Sequence, residues 1–361
     1  MATKSWNEVF AMNRRIPFSP NELRVIDTLP GFFGGPGRPL RDTPVTPREN
    51  MAALYYDKHP YWLPLPGDST FLISPLYNER LGRGGPEGVT DVFGVTWEWV
   101  ESAGGSIVRP GEPLMNDANE WKDKIKFPDI DSWDWEGEAE KVKCDCRVST
   151  QLTLVNGFWF ERLVSFMDFA PAAMALIDDD QKDAVKGLFA EMTDLACKIV
   201  DKYCQYWPAL DGFNVHDDWA AQRAPFFSEE TAREMFLPFM RELTGHIHSK
   251  GRYVTLHSCG RGEDRVRCFV DGGFDGWDPQ PMNDTTGLWR DVGDRICISV
   301  VPEPFDPAVT SEEEQRRRGY EYAERFSVPG KMAQLGFYGG PMLTEAFTEG
   351  VYIKSREIFA G

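Results

Sequence analysis

Histidine is scarce in this chain, with five in 361 residues, so any histidine placed next to another metal-ligating side chain carries information. Other familiar signals are missing. There is no glycine-rich phosphate loop ending in lysine and no Gly-x-Ser-x-Gly turn to present a nucleophilic serine, which removes two large groups of hydrolases. No stretch offers the roughly 18 uncharged apolar residues that span a bilayer. The opening segment "MATKSWNEVFAMNRRIPFSP" has no apolar core of the kind that marks a signal peptide. The expectation is a soluble, cytoplasmic protein with no membrane partner.

Positive charge is also in short supply. Lys and Arg number 39 against 57 Asp and Glu, for a net charge of −18, which excludes a nucleic-acid partner because phosphate neutralisation needs clustered basic residues. The seven cysteines are odd in number and show no compact spacing, so they are expected as reduced thiols rather than a disulfide framework. What the chain does have is aromatic bulk. Its 24 Phe and 12 Trp are ample for a large core with rings to spare for a pocket.

The composition changes along the chain. Residues 1–45 carry "PGFFGGPGRPL", whose density of Pro and Gly predicts an arm without regular structure. Such an arm lies over the body or reaches a partner subunit, the second case making a homodimer. "TPRENMAALYYDKHP" then offers Thr46 as an N-cap, Pro47 at the first helical position and Glu49 at the third, which predicts a short amphipathic helix. From Tyr61 to about Cys146 short apolar runs broken by Gly, Pro and Asp predict strands and loops.

Beyond Cys146 strands and helices alternate. The apolar runs "VSTQLTLV", "LDGFNVH", "YVTLH", "GFDGWD", "ICISVV" and "MAQLGFY" are separated by helical patterns, among them one capped by Ser228 and closed near Gly251. This alternation predicts a parallel sheet, and a closed (βα)8 barrel spanning 46–361 would put its function at the C-terminal strand ends. Those ends read "NVHDD", "HSC", "WDPQPMND", "VVPEP" and "FYGG".

His257 and Cys259 are the sharpest pair among them, because residues i and i+2 of an extended segment point the same way and both are zinc ligands. A catalytic zinc needs a third protein ligand, for which Glu303, Asp217, Asp218 and Asp278 are the candidates. Cys268 and Cys297 fall on a helix and a strand and are expected in the core. Asp217 and Asp218 supply a general acid, although neighbours on a strand face opposite ways and one of the two should be structural. For Asp91, Trp97 and Glu98 the alternatives are an acid with aromatic walls for a ligand or an antiparallel hairpin with an aromatic face. For Glu161 and Arg162 they are a ligand clamp or an ion pair at a helix start. Asn214, Trp219, Gln280 and Asn283 complete the candidate substrate contacts.

Taken in order, "TPRENMAAL", "DVFGVTWEWV", "FPDIDSWDWEG", "HDDWAAQRAPFFSEE", "HSKGRYVTLHSCGR" and "WDPQPMND" resemble the uroporphyrinogen decarboxylase superfamily, in its branch of corrinoid-dependent methyltransferases. The resemblance covers about residues 46 to 350. It implies a TIM barrel of the uroporphyrinogen decarboxylase type with an N-terminal extension. The implied activity is methyl transfer between a small methylated substrate, such as an aryl methyl ether, and a corrinoid carried by a partner protein. It also implies a zinc at the His-x-Cys pair, His257 and Cys259, to which Glu303 is added as third ligand from the strand-end candidates, and Asp217, Asp218, His257 and Tyr338 fit the catalytic demand. The arginine-rich N-terminal signature of the porphyrin decarboxylases is absent. So is the late cysteine of the thiol-methylating members, where this chain reads "QLGFYGGPM". The alternatives are a thiol methyltransferase, a uroporphyrinogen-type decarboxylase, or a non-catalytic corrinoid- or tetrapyrrole-binding scaffold.

Overall fold

The computed structural model describes residues 16–30, 37–101 and 105–360. Its main sheet has seven strands: β1 (Ser69–Leu72), β2 (Ser149–Leu154), β3 (Gly212–His216), β4 (Tyr253–His257), β5 (Gly276–Trp277), β6 (Cys297–Val300) and β7 (Ala333–Leu335). They lie side by side in chain order, and β2–β3, β3–β4, β5–β6 and β6–β7 pair in parallel. With helices between successive strands, this is the α/β arrangement of a (βα)8 barrel. The strands read as continuous apolar runs because a parallel sheet is covered on both faces. Among the described residues no helix is long and apolar enough to cross a membrane.

The chain divides into two compact units. One comprises the described part of Met1–Thr70, Asp145–Thr150 and Asp275–Gly361, the other Phe71–Cys144 and Gln151–Phe274.

In the first unit the capping signal at Thr46 is realised. Glu49 N–H donates to Thr46 Oγ1 at 3.2 Å and Thr46 N–H donates to Glu49 Oε2 at 2.7 Å, opening the helix Pro47–Asp57. The N-terminal arm is more regular than its composition predicts. Strands Val25–Leu29 and Arg38–Arg41 pair antiparallel on either side of the glycine-rich stretch, of which residues 31–36 lie outside the described set. Ahead of them the turn Pro20–Leu23 is fastened by Glu22, which accepts Arg356 Nε at 2.9 Å and the Tyr352 hydroxyl at 2.6 Å. Both partners sit on the helix Glu345–Ala360. Sequence patterning does not single out this helix, whose apolar residues follow a Pro/Gly-rich turn. Cys297 is buried in β6, as its setting predicts.

In the second unit the helix Lys182–Tyr206 buries Val185, Leu188, Phe189, Met192, Ala196, Ile199 and Tyr203 along one face, the 3.6-residue period of an amphipathic helix. The segment capped by Ser228 forms two helices, Glu229–Met235 and Leu237–Ser249. The break falls at Phe236, just before Pro238, whose ring cannot continue an unbroken ladder. Gly251 takes the left-handed φ of +67° expected past a helix end. Cys268 is buried in the helix Val266–Asp271. The stretch before Cys144 has strands and short helices only, with Val89–Thr90, Thr96–Val100 and Gly105–Val108 in an antiparallel sheet. The antiparallel pairing expected of "DVFGVTWEW" is present, with Trp97, Glu98 and Trp99 on its central strand.

Two measurements check this account. Replacing Thr46 with Ala should cost about 1 kcal/mol in denaturant unfolding by removing the cap. Burial also pushes the Asp68 carboxyl up to about 6, although Leu65 N–H and Trp62 Nε1–H donate to it. A folded value above the unfolded one adds stability that is present at about pH 4 and lost as the pH rises through about 6. Asp68→Asn lacks that loss, so its stability relative to wild type should improve over that window; a pH-independent difference would contradict a raised Asp68.

Candidate metal centre at the ends of β3 and β4

Two apolar strands of five residues, "GFNVH" and "YVTLH", each end in histidine, and parallel pairing in register sets His216 opposite His257. Their rings stack at 4.5 Å with 19° between planes. Side chains two residues apart share a face, so the layer below is also polar. There Asn214 Nδ2 donates to Thr255 Oγ1 at 2.8 Å, and the Thr255 hydroxyl donates to Gln151 Oε1 at 2.8 Å.

Past the strand ends the two loops fold toward each other. Cys259 N–H donates to Asp218 Oδ1 at 2.7 Å, and the Cys259 sulfur lies 3.2 Å from His257 Nε2. Gly260 makes this approach possible. Its φ is +84°, and a Cβ there would stand 2.2 Å from the Ala220 carbonyl oxygen.

The result is a cluster of four potential ligands, His216, Asp218, His257 and Cys259, whose donor atoms all lie within 4.8 Å of one another. Two imidazoles, a carboxylate and a thiol are the donor types of a four-coordinate zinc site, so the residues present fit that ion. Their protonation follows from the surroundings. Burial depresses the His216 imidazole below its usual range, leaving the neutral form that binds metals. Burial also works to raise Asp218, but His216, the Cys259 N–H, His257 and Arg83 together hold it below the ordinary carboxylate range. The Cys259 thiol is pushed up to about 12 by burial and by Asp218. A bound dication would reverse that, because a coordinating thiol is deprotonated.

The other residues singled out from sequence divide into three groups. Asp217 is turned away from the cluster and nearly fully buried. It accepts Glu161 N–H at 2.9 Å, Phe160 N–H at 3.2 Å and Trp219 Nε1–H at 2.7 Å, which ties the helix Phe160–Met167 to the end of β3. Burial pushes its carboxyl up to about 7 against those donors. Of the two adjacent carboxylates, which follow the last residue of β3, Asp218 faces the cluster and Asp217 holds the scaffold. Trp219 belongs to the core, packed on Phe236, Phe269 and Phe227 with centroids 4.8 to 5.3 Å apart. Asn214 is buried in the polar layer.

Asp91, Trp97 and Arg162 form a buried network of their own. Asp91 accepts Arg162 Nη1 at 2.7 Å, Trp97 Nε1 at 3.1 Å and the N–H groups of Phe93 and Val95. The side chains of the ion pair are 0% and 2% exposed, and Arg162 lies over the rings of Phe93 and Phe166. Trp97 also lines a cleft together with Glu98, Trp99 and Arg109. Glu161 points the other way from its neighbour Arg162. It meets His216 Nδ1 at 2.6 Å and pairs with Arg83, whose guanidinium also bonds Asn156. Arg83 lines a cleft of about 430 Å³ together with Asn78, Gly82, Gly84, Gly88 and Val155.

Gln280, Asn283, Glu303 and Tyr338 lie in the first unit. Asn283 closes its own turn, donating from Nδ2 to the Gln280 carbonyl at 2.9 Å. Glu303 is exposed and pairs with Arg325 at 3.2 Å, and Tyr338 sits in the 3-10 segment Phe337–Met342. Among the described residues the four-ligand group contains His257 and Cys259 but not Glu303. Asp278, the other acidic candidate of that unit, accepts the Ser299 hydroxyl and Gln334 Nε2. Sequence reasoning missed His216 as a ligand and Arg83 altogether. The signal for His216 was present, since two successive barrel strands of equal length end in the chain's scarcest chemical residue.

No protein-family model matches the chain, and no curated protein matches it. Solved structures do, among them a methyltransferase from Methanosarcina mazei with a TM-score of 0.52 and 14% sequence identity, covering 81% of this chain and 81% of that one. At that identity the likeness is one of fold.

The buried pair makes a prediction. Asp91→Ala would leave the Arg162 guanidinium buried without its counter-ion, and unfolding should show a loss of about 3–5 kcal/mol. A loss below about 1 kcal/mol, the size of an exposed pair, would show that the network is open to solvent.

Proposed function

We propose that the protein is a metal-dependent methyltransferase, with zinc held by His216, Asp218, His257 and Cys259, that moves a methyl group from a small methylated oxygen donor to a corrinoid carried by a partner protein. The observation that carries this reading is the four-ligand cluster at the C-terminal ends of two adjacent parallel strands, where barrel enzymes keep their chemistry. The shared fold with a methyltransferase of Methanosarcina mazei supports it, as does the sequence resemblance to the corrinoid-dependent branch.

In the transfer the carbon–oxygen bond of the donor breaks with its electron pair staying on oxygen, and the electron pair of cobalt(I) forms the new bond to the methyl carbon. A cation held by the four side chains of the cluster would supply Lewis-acid stabilisation of the departing oxygen. The protein's own residues supply the rest. His216, His257, Asp218 and Cys259 would hold the cation, and the polar layer of Asn214, Thr255 and Gln151 bonds across the strands beneath it. An oxygen ligand from Asp218 completes the set without a late cysteine, which favours an oxygen-bound donor over thiol activation.

The test is direct. Zinc-loaded protein incubated with cob(I)alamin and a series of methoxyarenes should form methylcobalamin, read from its absorption spectrum. His257→Ala should lower the rate by about 100-fold or more. Absence of methylcobalamin with every donor would overturn the proposal.

A further inference from the structure

We propose that Glu161 is a positioning residue for the metal cluster: its carboxylate fixes the tautomer and ring orientation of His216, and Arg83 holds Glu161 in place. The inference rests on the metal reading of the cluster and goes beyond the four ligands to what sets one of them.

The geometry is a chain of three side chains. Arg83 pairs with one oxygen of Glu161, and the other oxygen stands 2.6 Å from His216 Nδ1. An ionised carboxylate has only acceptors, so the proton of this bond sits on Nδ1. That leaves Nε2 of His216 with its lone pair, as the atom able to serve as a ligand. Histidines bound to metals commonly donate their second ring N–H to a carboxylate, and loss of that partner weakens binding about 10–100-fold.

Three further observations show that Glu161 is held rather than merely nearby. Its backbone N–H donates to Asp217 Oδ1 at 2.9 Å, and Asp217 directly follows His216 in the chain, so helix start and strand end are locked together. Its side chain is 10% exposed, which limits competition from water. Arg83 is anchored through Asn156, whose Nδ2 donates to the Leu81 carbonyl at 2.6 Å. Without Arg83, a carboxylate so placed would have no positively charged partner among these contacts. With it, the negative charge is balanced from the far side, and the oxygen facing His216 remains an acceptor.

The experiment measures zinc affinity by competition with a chromophoric chelator, together with the absorption spectrum of the cobalt(II)-substituted protein. Circular dichroism of the metal-free variants verifies the fold. Glu161→Ala should weaken zinc binding about 10–100-fold. Glu161→Gln should fall between Ala and wild type, because its amide oxygen still accepts from Nδ1–H but carries no charge. If Glu161→Ala fails to fold, the isosteric Gln variant decides alone. A purely structural role is separated by a double-mutant cycle. In a His216→Ala background Glu161→Gln should change affinity by less than about two-fold, since the residue through which it acts is gone. An undiminished effect in that background would overturn the inference. So would wild-type affinity in both Glu161 variants while His257→Ala and Cys259→Ser lose zinc, an outcome that leaves the metal reading standing. If His257→Ala and Cys259→Ser bind zinc as wild type does, the metal reading falls and the positioning role with it.

Discussion

The candidate site depends on one constraint, the parallel register of β3 against β4. It sets His216 beside His257, and one face of each strand then carries Asn214 and Thr255 below and the two imidazoles above. Because the side-chain period of a strand is two, a slip of a single residue would send every one of these groups to the opposite face. The flanking apolar residues, Phe213, Val215, Val254 and Leu256, are buried, and it is their burial that forbids the slip. The polar cluster is thus held in place by hydrophobic packing it takes no part in.

Around that pair the protein uses three carboxylates that are close in space and different in task. Asp218 faces the histidines and accepts the Cys259 N–H. Asp217, its neighbour in the chain, faces inward and binds the start of a helix. Glu161, from that helix, returns to His216. Burial acts on them unequally because their partners differ. Three neutral N–H donors do not offset the desolvation of Asp217, whereas histidines and an arginine outweigh it for Asp218. Sequence adjacency alone would have made Asp217 and Asp218 a matched pair. Their different partners past the end of β3 make them opposites.

Each compact unit also contains a buried arginine–carboxylate pair, Arg162 with Asp91 in one and Arg356 with Glu22 in the other. Replacing such a pair with packed apolar residues is often neutral or favourable, whereas removing one partner is costly, so their presence speaks to specificity of arrangement more than to net stability. Glu22 ties an early turn to a helix near the end of the chain, a long-range contact that local composition could not disclose. Asp91 fastens the loop before the aromatic strand Thr96–Val100 to the helix that carries Glu161. Of the residues that look like ligand-binding candidates in the sequence, Asp91 and Arg162 pair with one another, whereas Glu161 pairs with Arg83 and His216.

Much of the fold was legible in the residues themselves. The Thr46 cap, the periodicity of Lys182–Tyr206 and the apolar runs ending in polar clusters are local properties, and local sequence determined these elements and that His257 and Cys259 sit together at a strand end, but not the helix Glu345–Ala360. The alternation of elements carried the barrel class as well. Tertiary structure decided what local pattern cannot encode. It chose His216 and Asp218 as companions of the His-x-Cys pair, gave Asp217 and Trp219 to the scaffold, brought Arg83 to Glu161, and turned part of a Pro/Gly-rich arm into paired strands held beside the last helix. The physical reason is that each of these outcomes depends on burial and on partners many residues away, such as Asp218 and Cys259, 41 positions apart, and only the packed chain brings such partners within hydrogen-bonding reach.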